Sequence, residues 1–132
     1  MELRASGEDY LEAVFILGKR LGKVRAIDVT RYLGFAKTSV SHGLRLLRLS
    51  GLLTRDAEGY LYLTENGQKT AEKIYARHCF FAQWLTEAGV DPETAERDAC
   101  RMEHAISEES FRKLMQAMKR LEQNCPNDNG SS

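Results

Sequence analysis

Residues 26–63 read AIDVTRYLGFAKTSVSHGLRLLRLSGLLTRDAEGYLYL, and this stretch decides the fold. Apolar residues at helical spacing predict two short helices, and Gly34 and Gly51 supply the left-handed residue on which such helices end. Two runs of strand-forming residues then flank a turn that contains Gly59. The predicted elements are helices over Ala26–Leu33 and Lys37–Ser50 and strands over Leu52–Arg55 and Tyr60–Leu63. The stretch therefore predicts a helix-turn-helix followed by a β-hairpin of wing size.

The segments on both sides of this stretch are predicted to be helical. Before it, Ser6 is expected to cap a helix over Gly7–Arg20. After it, three helices are expected to begin at the caps Thr64, Asp91 and Ser107, and the first two are expected to end near Ala88 and Ile106. The sequence thus predicts a mainly α protein, with a winged helix-turn-helix domain over residues 1–73, a helical domain over 74–123 and a disordered polar tail over 124–132.

The last predicted helix carries one continuous apolar stripe. A chain of 132 residues buries only a modest core on its own, so pairing with a second copy is expected. The stripe and the aromatic residues of the preceding long helix are the predicted dimer contact, and an internal core is the alternative use for any of them. These residues are Phe80, Phe81, Trp84, Phe111, Leu114, Met115, Met118 and Leu121.

Charge is segregated along a chain that is neutral overall. Residues 19–55 contain nine Lys and Arg against one acid, Asp28, which leaves about −8 on the remainder. A basic segment beside an acidic one is typical of a protein that binds phosphate groups with only one of its parts. Clustering of charge on a solvated face is the simpler alternative. Three-helix modules with a hairpin also serve as protein-interaction domains, and the local charge favours DNA. The residues predicted to contact DNA are Arg25, Lys37, Thr38, Ser39, Ser41, His42, Arg45 and Arg48.

Two predicted helices carry metal-binding residue types at spacings that bring them onto one face. The first helix has two carboxylates at i and i+3, and a later helix has cysteine, glutamate and histidine at i, i+3 and i+4. This mixture suits a borderline divalent metal such as Fe, Mn, Co, Ni or Zn better than Mg or Ca. A histidine of the long helix faces partly into the core and is either a sixth ligand or a structural residue. The candidate ligands are Asp9, Glu12, His78, Cys100, Glu103 and His104.

Four segments of the chain resemble the diphtheria toxin repressor family, which includes the iron-dependent and manganese transport regulators. They are Glu8–Glu12, Ala36–Ser41, Leu52–Leu53 and Asp98–His104, and the resemblance runs from about Ser6 to Leu121. It implies a winged-helix DNA-binding domain, a helical metal-binding and dimerisation domain, and a metal that acts as co-repressor at metal-uptake genes. The chain resembles a short form of the family, and the SH3-like domain of the iron branch is expected to be absent.

The resemblance also implies a mixed ligand set. Asp9 and Glu12 correspond to first-helix ligands of the manganese branch, whereas Cys100 stands where the iron branch has cysteine and the manganese branch has glutamate. Ala82 and Glu96 occupy positions of an ancillary site in the iron branch, so an intact ancillary site is not expected. The remaining three candidates, His78, Glu103 and His104, fall on a histidine of the long helix and on a shared Glu-His pair. The implied metal is Fe²⁺ or Mn²⁺, with Co²⁺, Ni²⁺ or Zn²⁺ able to bind in vitro.

The sequence therefore predicts a metal-dependent transcriptional repressor that controls divalent metal homeostasis genes as a homodimer on a palindromic DNA operator. A winged-helix regulator that responds to a non-metal ligand, or to none, is the alternative. An enzyme that uses Cys100 and His104 is disfavoured because six candidate ligands leave little open coordination for a substrate. The sequence shows neither a signal segment nor a long apolar run, so a cytoplasmic protein without membrane contact is expected.

Overall fold

Six helices and a three-stranded sheet form the part of the chain that the computed structural model describes, residues 5–124. The helices pack as an N-terminal winged helix-turn-helix followed by a helical segment, so the predicted fold class is confirmed. The predicted tail lies outside the described residues except for Asn124. In chain order the elements are α1 Ala5–Leu21, β1 Val24–Arg25, α2 Ala26–Leu33, α3 Lys37–Leu49, β2 Leu53–Arg55, β3 Tyr60–Leu63, α4 Glu65–Glu87, α5 Pro92–Ala105 and α6 Glu108–Asn124.

The helix ends follow the local chemistry of the sequence at most positions. Gly34 and Gly51 have φ of 72° and 81°, a conformation that glycine adopts without steric cost. The predicted caps at Thr64, Asp91 and Ser107 each accept a hydrogen bond from a backbone N–H in the following helix. The prediction for Ser6 is wrong, because α1 begins at Ala5 and Ser6 therefore lies within its first turn.

The sheet has the order β1-β3-β2, and both pairings are antiparallel. Its hairpin turn is held by Asp56, whose Oδ1 accepts from the backbone N–H groups of Glu58 and Tyr60 at 3.0 and 2.9 Å. Strand β1 was not predicted, because two residues are too short to show an alternating pattern. It anchors the start of α2 against the wing.

The main core surrounds α1, which packs against α2, α3 and α4. Val40, Leu44 and Leu47 of α3 are fully buried against it, on the side that helical spacing predicts. Gly43 of α3 packs against Tyr10 of α1 so tightly that an added Cβ would lie only 2.0 Å from a carbon of its ring. The position of α1 therefore directly constrains the position of α3.

Helix α4 runs without interruption from the wing to the helices α5 and α6, and the predicted boundary at residues 73 and 74 falls inside it. It packs mainly against α5, where Phe81 and Ala82 form a second, smaller core with Ala99. Helix α6 adds Phe111 and Leu114 to this core. None of the helices within residues 5–124 is long and apolar enough to cross a bilayer.

Candidate metal centre and DNA-facing surface

Three helices bring the six candidate ligands to one place. Helix α1 supplies Asp9 and Glu12, α4 supplies His78, and α5 supplies the remaining three. The ligand atoms form two groups, each with all its atoms within 4.8 Å of one another. The first group is Asp9, Cys100, Glu103 and His104, and the second is Glu12, His78 and Glu103. Residues from distant parts of the sequence thus converge between α1 and the α4–α5 pair.

His104 is held between the start of α1 and its own helix. Its Nε2 lies 2.8 Å from Asp9 Oδ1 and 3.3 Å from Glu103 Oε2, while its Nδ1 lies 2.5 Å from Glu8 Oε1. Burial lowers the pKa of this imidazole, but contacts with Asp9, Cys100 and Glu8 outweigh burial and raise the pKa to about 12. This histidine is therefore a cation in the metal-free protein at neutral pH.

His78 occupies the second group with a similar arrangement. Its Nδ1 lies 2.8 Å from Glu103 Oε1, and its Nε2 lies 2.7 Å from Glu96 Oε1. The hydrogen bond with Glu103 outweighs burial and raises the pKa of His78 to about 9. Tyr75 stacks on the ring with a centroid separation of 6.4 Å. His78 is thus oriented towards the buried carboxylate of Glu103.

Glu12 and Glu103 are the two buried acidic residues within the described part of the chain. Glu103 has no exposed surface and Glu12 is 7% exposed. Neither Oε2 atom has a hydrogen-bond partner among residues 5–124, although Glu103 Oε2 lies 3.3 Å from His104 Nε2 in an ion pair. Burial, together with the contact with Glu103, raises the pKa of Glu12 to about 8. Buried carboxylate oxygens without a donor are costly, and a divalent cation would satisfy both.

Glu103 belongs to both groups, one oxygen lying towards His78 and the other towards His104. A carboxylate in this position can bridge two ions or serve one ion from either side. The donor set of thiol, imidazole and carboxylate suits a first-row transition metal. The residues present therefore fit a divalent metal, with α1, α4 and α5 all contributing to the site.

Two residues of this centre were not among the predicted ligands. Glu8 contacts Nδ1 of His104, and Glu96 contacts Nε2 of His78. The sequence does carry a signal for them, since Glu8 precedes Glu12 by one helical turn and Glu96 precedes Cys100 by one helical turn. That spacing alone does not distinguish a functional carboxylate from a solvated one.

A basic cleft of about 460 Å³ lies between α3 and the wing. Four of the residues predicted to contact DNA line it, together with Arg55 of β2, which was not predicted. Arg25 is also held 4.4 Å from the ring centroid of Tyr60, on the strand beside it. The predicted residues in the cleft are Arg25, Ser41, Arg45 and Arg48. The other predicted residues, Lys37, Thr38, Ser39 and His42, are exposed on the first two turns of α3 and do not line the cleft.

The apolar residues of α4 and α6 divide between core and surface. Phe81 is buried in the second core, so it is an internal residue of the chain. Trp84 and Leu121 are 38% and 64% exposed. Met115 and Met118 line a shallow groove beside Trp84. An apolar face thus remains open on the α4–α6 side of the described structure.

The chain matches a known protein family and is similar to known transcriptional regulators. Residues 64–130 match the family described as iron dependent repressor, metal binding and dimerisation domain. The transcriptional regulator MntR of Escherichia coli O157:H7 is 35% identical over 104 residues, which cover 79% of this chain and 67% of that protein.

Solved structures of similar fold include IdeR of T. acidophilum, with a TM-score of 0.73 and 23% identity, covering 85% of this chain and 53% of that one. A manganese-dependent transcriptional repressor in complex with manganese has a TM-score of 0.76 and 23% identity, covering 86% of this chain and 52% of that one. At these identities the likeness establishes the fold, and the chain spans about half the length of these two structures.

Proposed function

Because the chain belongs to the iron-dependent repressor family, we propose that it is a transcriptional repressor that binds DNA when a divalent transition metal occupies the site between α1, α4 and α5. Its targets in this proposal are genes of divalent metal homeostasis. The observation that carries the proposal is the pair of buried carboxylates, Glu12 and Glu103, each with one oxygen that has no hydrogen-bond partner within residues 5–124. A site of this kind is unfavourable until a cation fills it.

The metal ligands in this proposal are the six residues identified from the sequence. Asp9, Cys100, Glu103 and His104 would hold one ion, and Glu12, His78 and Glu103 would hold a second or complete the first. A thiolate favours Fe²⁺ over Mn²⁺, whereas the three carboxylates favour Mn²⁺ more than a sulfur-rich site would. The manganese bound to a repressor of the same fold supports Mn²⁺ as a ligand. Both ions are therefore candidate co-repressors.

The link from metal to DNA runs through α1. Asp9 and Glu12 are ligands on this helix, and the neighbouring Tyr10 packs against Gly43 of α3. An ion held by α1 and α5 together would restrict α1, and the close contact at Gly43 would then restrict α3. A bound metal would supply positive charge and directional bonds, and Asp9 and Glu12, held by it, would fix α1 so that one arrangement of α3 is favoured.

The DNA-binding surface in this proposal is the exposed side of α3 together with the wing. Helix α3 enters the major groove, where side chains on its first turns meet base edges. The arginines of the cleft, with Arg25 fixed over Tyr60, meet the flanking phosphates. A homodimer formed through the open α4–α6 face would present two such helices to successive major grooves, about 34 Å apart, of a palindromic operator.

Metal-dependent DNA binding tests the proposal directly. Duplexes enriched by selection from a random pool in the presence of Mn²⁺ would be titrated with chelated protein and with protein loaded anaerobically with Mn²⁺, Fe²⁺, Co²⁺ or Zn²⁺. We expect tight, metal-dependent binding and its loss in Glu103→Gln, while the exposed control Glu109→Gln behaves like the wild type. Equal DNA affinity with and without metal would contradict the proposal and support a regulator of another kind.

A further inference from the structure

We propose that Glu8 is a positioning residue of the metal centre, which holds Nδ1 of His104 so that Nε2 faces the metal. This inference rests on the proposed metal site, but it concerns a residue outside the ligand set. Glu8 lies in the first turn of α1, beside the ligand Asp9, and His104 lies in the last turn of α5. The contact between them therefore joins two helices through residues that are 96 positions apart in sequence.

The geometry separates the two sides of the imidazole ring. Asp9 Oδ1 and Glu103 Oε2 lie on the Nε2 side, at 2.8 and 3.3 Å, and both belong to the first ligand group. Glu8 Oε1 lies on the Nδ1 side at 2.5 Å. The two ring nitrogens point in divergent directions, so a group bound at Nδ1 cannot reach an ion bound at Nε2. Glu8 thus contacts a ligand without sharing its ion.

Burial makes this contact effective. The side chains of Glu8 and His104 are 16% and 10% exposed, so water competes little for the hydrogen bond. A carboxylate that accepts the Nδ1 proton keeps that proton in place when the ring becomes neutral and binds a metal. It also makes Nε2 a better donor to the ion, as carboxylate partners of metal-bound histidines generally do.

Glu96 offers a contrast at the other histidine. It contacts His78 Nε2 at 2.7 Å, but its side chain is 64% exposed. Solvent therefore competes with this contact, and the hydrogen bond contributes less to orientation. The difference in exposure makes Glu8 the stronger positioning residue of the two.

Metal binding by purified full-length variants tests the role of Glu8. Co²⁺ affinity would be measured by competition with a chromophoric chelator, and the ligand-field spectrum would report the donor set. We expect Glu8→Ala to bind Co²⁺ about 10- to 100-fold more weakly than the wild type. The number of bound ions and the shape of the spectrum should not change, because no ligand is removed. Glu8→Gln should lose less, since its amide oxygen can still accept from Nδ1.

Glu93→Gln is a matched control, because Glu93 is an exposed acidic residue in the first turn of α5. It removes a similar favourable interaction with the helix dipole and should leave Co²⁺ affinity unchanged. Thermal unfolding of each metal-free variant verifies that it is folded. If Glu8→Ala does not fold, the Co²⁺ affinity of Glu8→Gln is compared with that of the wild type instead. Wild-type affinity in both Glu8 variants would overturn the proposal.

Long-range ¹H–¹⁵N spectra of the Zn²⁺-loaded protein provide the direct readout. We expect His104 to carry its proton on Nδ1 and the metal on Nε2 in the wild type, with this preference weakened in Glu8→Ala. Coordination through Nδ1, or loss of a bound ion with an altered Co²⁺ spectrum in the variant, would overturn the positioning role. Failure of the wild type to bind Co²⁺ or Zn²⁺ at all would instead contradict the proposed function.

Discussion

Replacing Glu12 by glutamine should stabilise the metal-free protein while removing its response to metal. The pKa of this buried carboxyl is raised from 4.5 to about 8, so between these values the folded chain holds a proton that the unfolded chain has released. Stability therefore falls as pH rises through this window. Each pH unit costs about 1.4 kcal/mol, which amounts to about 3 kcal/mol at pH 7. Glutamine does not ionise, and its amide can donate to the neighbouring Glu103.

Urea unfolding of chelated protein between pH 4.5 and 8 measures this effect at one fixed protein concentration. We expect Glu12→Gln to match the wild type near pH 4.5 and to exceed it by about 2–3 kcal/mol at pH 7, which corresponds to roughly 10 °C in Tm. Saturating Mn²⁺ at about 1,000 times Kd should add about 4 kcal/mol to the wild type and much less to the variant.

The exposed residue Glu109 provides the control, because Glu109→Gln should leave the pH dependence unchanged. A stability difference between Glu12→Gln and the wild type that stays constant from pH 4.5 to 8 would refute the reasoning. It would mean that Glu12 ionises in the folded protein as it does in water.

Two further predictions concern the winged helix-turn-helix. Gly43→Ala places a Cβ 2.0 Å from the Tyr10 ring, so it should destabilise the protein by about 1–3 kcal/mol and weaken DNA binding. Gly18→Ala, which meets nothing within 4 Å in α1, should instead stabilise by roughly 0.5–1 kcal/mol in thermal unfolding, and equal effects would contradict the packing argument. If Arg45 contacts a phosphate, Arg45→Gln should reduce the slope of log K against log salt by about 0.9 in anisotropy titrations. Arg112→Gln on α6 should not change this slope, and an unaltered slope in Arg45→Gln would exclude a phosphate contact.

The fold was predictable from the sequence because its signals are local. Gly34 and Gly51 end helices, Thr64 and Asp91 begin them, and each acts within one turn of its position. Strand β1 escaped prediction because a two-residue strand exists only through its pairing with β3. Ser6 was mistaken for a cap because helix α1 already includes Ala5 and Ser6.

The candidate centre was predictable only in part. The spacing of Cys100, Glu103 and His104 predicted that they share one face of a helix. The contact between Glu8 and His104 could not be anticipated, because it depends on how α1 crosses α5. Burial of Glu103 is likewise a tertiary property, since the same residue type at the same spacing is usually solvated.

The length of helix α4 connects the wing mechanically to the candidate metal centre. With 23 residues it is a rod about 35 Å long, with its start beneath the wing and His78 about 20 Å further along its axis. At Gly67 the backbone carbonyl of Leu52 would lie 2.0 Å from an added Cβ, so the wing is seated tightly on this rod. Rotating the helix by about 5° about His78 would move its wing end by about 2 Å, given the rise per residue of a straight helix. If a metal bound between α1, α4 and α5 shifted α4 at His78, the wing seated on the start of the same helix would move with it.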